Sequence, residues 1–335
     1  MPVLPRARGP VSAAVLDVLA GRAAAADLAG ALPDPAGVDP LGDDLQLALY
    51  ACYELHYRSF DGVADDLEWD PDLLALRARL EAPFLDAVRA RVDGGDDVEA
   101  AVEALLVEPT EGSGPSWHLA ARGERWQLDE YVALRSLYHL KEADPQAWVI
   151  PRLDGVAGRA KASLMTVEHD EYGAGRPERV HARIYAEMME GLGLDTTYGA
   201  YLDVAPAPVL ATVNIMSLFG LHRRYRGASV GQFALIEITS PPGAARLVTA
   251  IERLGLPERV TEFYAEHVEA DAVHEQLVRK DLLAGLLERE PELAADVVLG
   301  LQASTVLEDL LADYLVRCWS AGTSSLVAVP ERSAA

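Results

Sequence analysis

The sequence predicts an all-α fold. Apolar residues recur at helical spacing along almost its whole length, Ala/Leu/Glu/Arg-rich segments dominate, and alternating β-branched runs are nearly absent. Taken in order, the periodicity predicts helices over Val11–Leu32, Asp43–Ser59, Pro71–Val92, Val98–Val107, Glu124–Glu142, Gly155–Glu171, Pro177–Leu192, Pro208–Arg223, Val230–Thr239, Gly243–Gly255, Pro257–Leu287 and Pro291–Ser320. Several of these start at proline, which suits a first helical turn because no amide donor is needed there. Ser240-Pro241-Pro242 is expected to stop the ninth of them, since an interior proline removes a donor and crowds the preceding turn.

Two punctuated stretches divide the chain, the turn Asp93-Gly-Gly-Asp-Asp97 and the Gly/Pro/Ser-rich segment 108–116. They suggest a helical extension over residues 1–115 and a bundle over 116–335. With 335 residues and 50% hydrophobic side chains, the chain can bury an extensive core. A formal charge of −24 repels phosphate backbones and anionic lipid, so neither nucleic acid nor a membrane is the expected partner. Cys52 and Cys318 form no CxxC pair, no apolar run reaches membrane-spanning length, and Asp17, Arg22 and Asp27 interrupt the Ala-rich N-terminal stretch. A soluble protein of the reducing cytoplasm is expected.

The segment 263–276, FYAEHVEADAVHEQ, carries the clearest chemistry. His267, Asp271 and His274 are spaced i, i+4 and i+7, which puts them on one helix face. Two imidazoles and a carboxylate pointing one way suit Fe(II); the competing reading is a solvated polar stripe. Glu237 closes the apolar run Phe233-Ala-Leu-Ile236, where a carboxylate needs a metal or a donor such as an arginine of His222-Arg-Arg-Tyr-Arg226. Glu171 and His181 are ten residues apart, and Gly173, Gly175 and Pro177 allow the chain to unwind between them so that both reach one centre. A rival pattern lies in the same stretch. Glu178-Arg-Val-His181 is an E-x-x-H motif, matched by Asp271-Ala-Val-His274, as in ferritin-type bundles. His181 is implicated either way, and Glu171 and Glu178 compete. Glu142 ends an amphipathic helix one turn after His139, with a solvated helix end as the alternative; Glu54 and His56, aimed at different faces, rank below it.

This set resembles the haem-oxygenase-like di-iron oxidases and oxygenases, the iron-containing redox enzyme family, over roughly residues 120–320. The resemblance rests on Lys-Glu142-Ala-Asp-Pro, Ile-Pro-Arg-Leu153, Asp-Glu171-Tyr-Gly-x-Gly, His181, the apolar helix with Glu237, and Glu-His267-x-x-x-Asp271-x-x-His274, in that order. It implies a haem-oxygenase-like helical bundle with Glu142, Glu171, His181, His267, Asp271 and His274 as ligands of two Fe(II) ions. Glu237 is implied as a further carboxylate that joins when the site rearranges. It also implies O2 as co-substrate and a small amine- or carboxylate-bearing, amino-acid-like substrate. Candidates to hold that substrate's carboxylate are Arg223, Arg224 and Arg226. Glu168, Glu266 and Tyr172 are candidate hydrogen-bond partners for the ligand imidazoles. An external electron donor fits such chemistry, and the N-terminal helices are expected to cover the bundle or contact a second copy in a homodimer. The alternatives are a ferritin-like iron protein using Glu178 and a non-catalytic acidic helical scaffold.

Overall fold

A computed structural model describes residues 1–27, 37–107 and 111–328, and among these all regular structure is helical. The α-helices of six residues or more are α1 (Pro10–Leu19), α2 (Asp43–Glu54), α3 (Pro71–Arg89), α4 (Val98–Leu105), α5 (Pro115–Arg122), α6 (Arg125–His139), α7 (Arg159–Glu171), α8 (His181–Leu192), α9 (Ala207–Leu221), α10 (Arg226–Arg253), α11 (Glu262–Leu277), α12 (Ala284–Arg289) and α13 (Ala294–Ser320). Local chemistry sets many of their starts. Asp70 caps α3 by accepting from the amides of Asp72 and Leu73 at 3.0 and 2.9 Å, with Pro71 in the first turn. Asp97 does the same for α4 through Ala100.

Most expected helices are present with ends moved by a few residues, but three expectations are corrected. The helix expected over Val11–Leu32 ends at Leu19, where the chain turns and Arg22 folds back onto Asp17 at 2.6 Å; residues 28–32 lie outside the described ones, as do 108–110 of the expected loop. The helix α5 occupies a stretch where none was expected. Most instructive, Pro241 and Pro242 do not stop the helix that carries Glu237, because α10 runs unbroken from Arg226 to Arg253 with both prolines inside it. Its flanks are held by α13, α11 and α5, so tertiary packing outweighs the missing donors.

The central contact is the crossing of α10 and α13. A Cβ on Gly231 would stand 2.1 Å from the Val297 carbonyl oxygen, and one on Gly300 would stand 2.0 Å from that of Ala228. The two backbones touch, which only glycine at both positions permits. The N-terminal helices are packed on the same framework: α2 lies between α1 and α9, and Asn214 of α9 donates to the backbone and side-chain oxygens of Gln46, each at 2.8 Å. Behind α6, buried Lys141 pairs with buried Glu54 at 2.8 Å, and Tyr198 donates to the same carboxylate at 2.7 Å. Glu54 is thereby committed to structure, and His56 is held between Arg77 and Glu68.

Candidate metal centre

The end of α6 and the inner faces of α7, α8, α10 and α11 meet around a cluster of buried acids and imidazoles. Glu142, Glu171, His181 and His267 bring one ligand atom each to within 4.8 Å of one another, and Glu171, Asp271 and His274 form a second such group. All six are buried, and Glu171 belongs to both groups. Between them, beside Glu237 and Tyr138, lies an enclosed cavity of about 20 Å³, the size of a single small occupant.

Their hydrogen-bonding state is what makes the cluster unusual. Glu142 Oε2, both oxygens of Glu168, Glu171 Oε2, His181 Nδ1 and Asp271 Oδ1 are buried without a hydrogen-bond partner. Glu171 Oε2 and His181 Nδ1 approach to 2.8 Å without hydrogen-bond geometry. Buried polar atoms are rarely left unpaired, and here they converge. A cation among them would satisfy the set, and neutral imidazole nitrogen with carboxylate oxygen is a donor set that suits iron. Two divalent ions would also balance most of the charge of Glu142, Glu168, Glu171, Glu237 and Asp271.

The imidazoles are held in set orientations by their neighbours. His267 Nδ1 donates to the Phe263 carbonyl at 2.7 Å, one helical turn back, so Nε2 faces Glu142 at 3.8 Å. His274 has Nε2 3.2 Å from Asp170 Oδ2, while Nδ1 lies 3.2 Å from Glu237 Oε2 and 3.4 Å from Asp271 Oδ1. His139 Nδ1 contacts Glu142 at 2.6 Å, its ring stacked on Tyr185 at 4.6 Å. Such outer contacts fix tautomer and aim, the usual arrangement around a metal.

Electrostatics follow from burial and crowding. Burial pushes the Glu168 carboxyl up to about 9, helped by Glu171 and Glu237. Glu237 is raised in the same way, first by burial and then by Asp271. At His181, burial alone would lower the pKa, but the adjoining Glu171, with Glu142 and Asp271, raises it to about 9. His274 likewise overcomes burial through Asp271, Glu237 and Asp170 and reaches about 11. Burial would raise Glu142 too, yet His139, His267 and His181 hold it down at about 2. Burial lowers His139, so that pair is read as a neutral imidazole donating to a carboxylate.

The fold thus brings together Glu142, Glu171, His181, Glu237, His267, Asp271 and His274, drawn from five separate segments. Glu178 is exposed on the 3₁₀ turn Pro177–Arg179, outside the cluster. Gly173 explains the difference. Its φ of 79° is left-handed, and a Cβ there would stand 2.7 Å from the amide nitrogen of Val180, so the loop folds tightly enough for Glu171 to meet His181. The arginines are not brought in. Arg226 is paired with Glu290, Arg223 and Arg224 are exposed, and Arg224 covers the Tyr225 ring at 4.6 Å. Nor do Glu168, Glu266 and Tyr172 support the imidazoles, since both Glu168 oxygens are unpaired, Glu266 binds Arg179 and the Tyr172 hydroxyl donates to Asp144 at 2.9 Å. Sequence reasoning missed Asp170 as the partner of His274, and assigned Glu168 no place among the clustered acids. Glu168 has a signal, its i, i+3 spacing to Glu171; Asp170 has none.

Compared with known families, residues 129–309, just over half of the chain, match the model described as iron-containing redox enzyme. The chain belongs to that family. The matched stretch starts in α6, ends in α13 and contains every residue of the cluster. Among solved structures, a CADD-like protein of unknown function from Nostoc punctiforme is similar in fold, with a TM-score of 0.53 and 15% identity over 67% of this chain and 98% of that one. No curated protein matches the chain. The family carries a haem-oxygenase-like all-α fold, in agreement with the helices seen here.

Proposed function

We propose that this chain is a non-haem di-iron oxidoreductase that uses O2 to oxidise a small amine- or carboxylate-bearing molecule. The observation that carries the reading is that Glu171 belongs to both buried ligand groups, which is how one carboxylate serves a pair of ions. Glu142, His181 and His267 with Glu171 would hold one iron; Asp271 and His274 with Glu171 would hold the other, and Glu237 is placed to join the second. Bound there, iron supplies electrons and Lewis acidity. The chain's own groups do the rest. Phe263 and Asp170 fix the imidazoles, His139 keeps Glu142 ionised, and Glu168 and Glu237 keep protons where a cation is missing. Ser240 donates to Asp271 Oδ2 and holds that carboxylate still.

A ferritin-like store using Glu178 is disfavoured by the exposure of that residue. No helix among the described residues is long and apolar enough to cross a membrane, and we take the enzyme to work in the cytoplasm with an external electron donor. Anaerobic titration with Fe(II) should give two equivalents per chain, and admission of O2 should consume it with a transient visible absorption. His267→Ala and His274→Ala should each remove most of the iron with helical content intact by circular dichroism. Unchanged iron in either variant refutes the ligand assignment.

A further inference from the structure

A second, larger cavity of about 260 Å³ adjoins the cluster, and the chemistry of its wall is specific. One side is the α6 face formed by Tyr131, Arg135 and His139, spaced i, i+4, i+8, and His139 touches Glu142 one turn further on. His267 and Ser240, which touch Glu142 and Asp271, line the same space. The cavity therefore leads to the ligand cluster. Leu235, Leu247, Leu311, Leu315 and Phe263 make most of the remainder apolar.

Set in this apolar wall is an ion pair between α6 and α13. Arg135 Nη1 is 2.8 and 3.2 Å from the two carboxylate oxygens of Glu308. Only one guanidinium nitrogen is engaged in that pair, and Arg135 Nε is buried with no hydrogen-bond partner. The Tyr264 hydroxyl, on the same cavity, is also buried and unpaired. The side chain of Glu308 is 41% exposed and that of Arg135 18%, against 10% for His267, so the charged pair marks the outer end and the imidazole the inner end.

We propose that Arg135 and Glu308 form a clamp for the carboxylate and ammonium of an apolar α-amino acid, whose side chain fills the cavity toward His267. The inference rests on the di-iron reading only for what happens at the inner end. Charge balance selects the zwitterion. A lone carboxylate on Arg135 would lie against Glu308, a lone amine on Glu308 would lie against Arg135, and a neutral molecule would leave Nε unsatisfied. Opposite charges two bonds apart on one ligand satisfy both groups, and the guanidinium fork suits a carboxylate. A cavity below the usual range for drug-sized ligands suits a molecule of this size.

The test is calorimetric titration of the protein, metal-free and again loaded with Fe(II) under nitrogen, with L-leucine, L-norleucine and L-phenylalanine. Phenethylamine and 3-phenylpropionate, which each lack one charge, serve as comparators. At least one amino acid should bind in both forms, with the comparators weaker by about tenfold or more because each leaves one charged group unmatched. Glu308→Gln should bring L-phenylalanine down to the level of 3-phenylpropionate, and Arg135→Gln down to that of phenethylamine. Gly243→Leu, which enters the cavity from α10 rather than from either helix of the pair and has open space at its Cβ, should weaken the larger ligands in a protein of unchanged circular dichroism. The proposal is overturned if no amino acid binds, or if both charge variants bind the panel as the unaltered protein does; the pair then only joins α6 to α13. Iron stoichiometry measured on the same samples separates the two readings, since two irons without amino-acid binding removes the clamp alone, and amino-acid binding without iron removes the di-iron assignment alone.

Discussion

Adjacent residues Asp170 and Glu171 give the sharpest test of the centre, because the geometry assigns them unlike parts. Glu171 contributes to both candidate ligand groups, so on the proposed reading Glu171→Gln would remove a charge from both ions at once. Asp170 meets only His274, at 3.2 Å through Nε2, and its side chain is 47% exposed. Outer partners of this kind are worth roughly 10–100-fold in metal affinity. Solvent competes for so exposed a carboxylate, so the lower end applies, about tenfold or about 1.4 kcal/mol for Asp170→Asn. The loss should fall on one of the two ions.

Anaerobic calorimetry with Fe(II) resolves this as two binding steps in the unaltered protein. Glu171→Gln should abolish both high-affinity steps. Asp170→Asn should shift one by about tenfold and leave the other in place. Exposed Glu178→Gln should reproduce the unaltered curve. If Glu171→Gln keeps two tight irons, or Glu178→Gln loses them, Glu171 is not the shared ligand and the ferritin-like arrangement is the better one.

Three further outcomes are expected. Glu237→Ala should keep the first iron, weaken the second and leave the metal-free fold at least as stable, since the burial that raises this carboxyl is a cost to the fold; iron counts and urea midpoints measure both. Gly231→Ala forces a Cβ to within 2.1 Å of the Val297 carbonyl and should cost about 1–3 kcal/mol in urea unfolding, whereas an unchanged midpoint would mean that α10 and α13 separate freely. Metal-free protein should lose stability as pH rises from about 5 to about 11, because Glu168, Glu237, His181 and His274 hold in the folded state protons that the unfolded chain releases near 4.3 for Glu and 6.5 for His. The contribution is complete below those unfolded values and is lost through the raised folded ones. Glu142, held low, has the opposite sign but acts only in acid. Iron replaces these protons, so its affinity should climb over the same range, and a flat profile by denaturation at several pH values refutes the account.

The His267, Asp271 and His274 face was legible in sequence because all three lie on one uninterrupted helix, where spacing alone fixes direction. Glu171 and His181 were legible at one remove, through the glycine that lets them meet. Asp170 was not, because its role depends on which nitrogen of His274 faces inward, and α7 meets α11 only after folding. Arg135 and Glu308 are 173 positions apart and come together across α6 and α13. Arg223, Arg224 and Arg226 had the same composition logic and proved to lie elsewhere, since a basic run says nothing about which cavity it borders.

Pro241 and Pro242 misled for the opposite reason, because the local rule is sound and the surroundings overrule it. Neither can donate an amide, so the carbonyls of Glu237 and Ile238 lack an i+4 donor. The hydroxyl of Thr239 bonds the Leu235 carbonyl at 2.8 Å, and Ser240 turns instead to Asp271. The helix is therefore carried past its weakest turn by packing on α11 and α13 rather than by its own ladder. That weakest turn is where Glu237 is placed, beside His274 and Asp271. A carboxylate required to approach an ion and withdraw again gains freedom from an interrupted ladder, and a continuous row of hydrogen bonds would deny it. If Glu237 joins the second ion as proposed, the two missing donors that sequence reading took as a helix end would give this turn of α10 the freedom such a carboxylate needs.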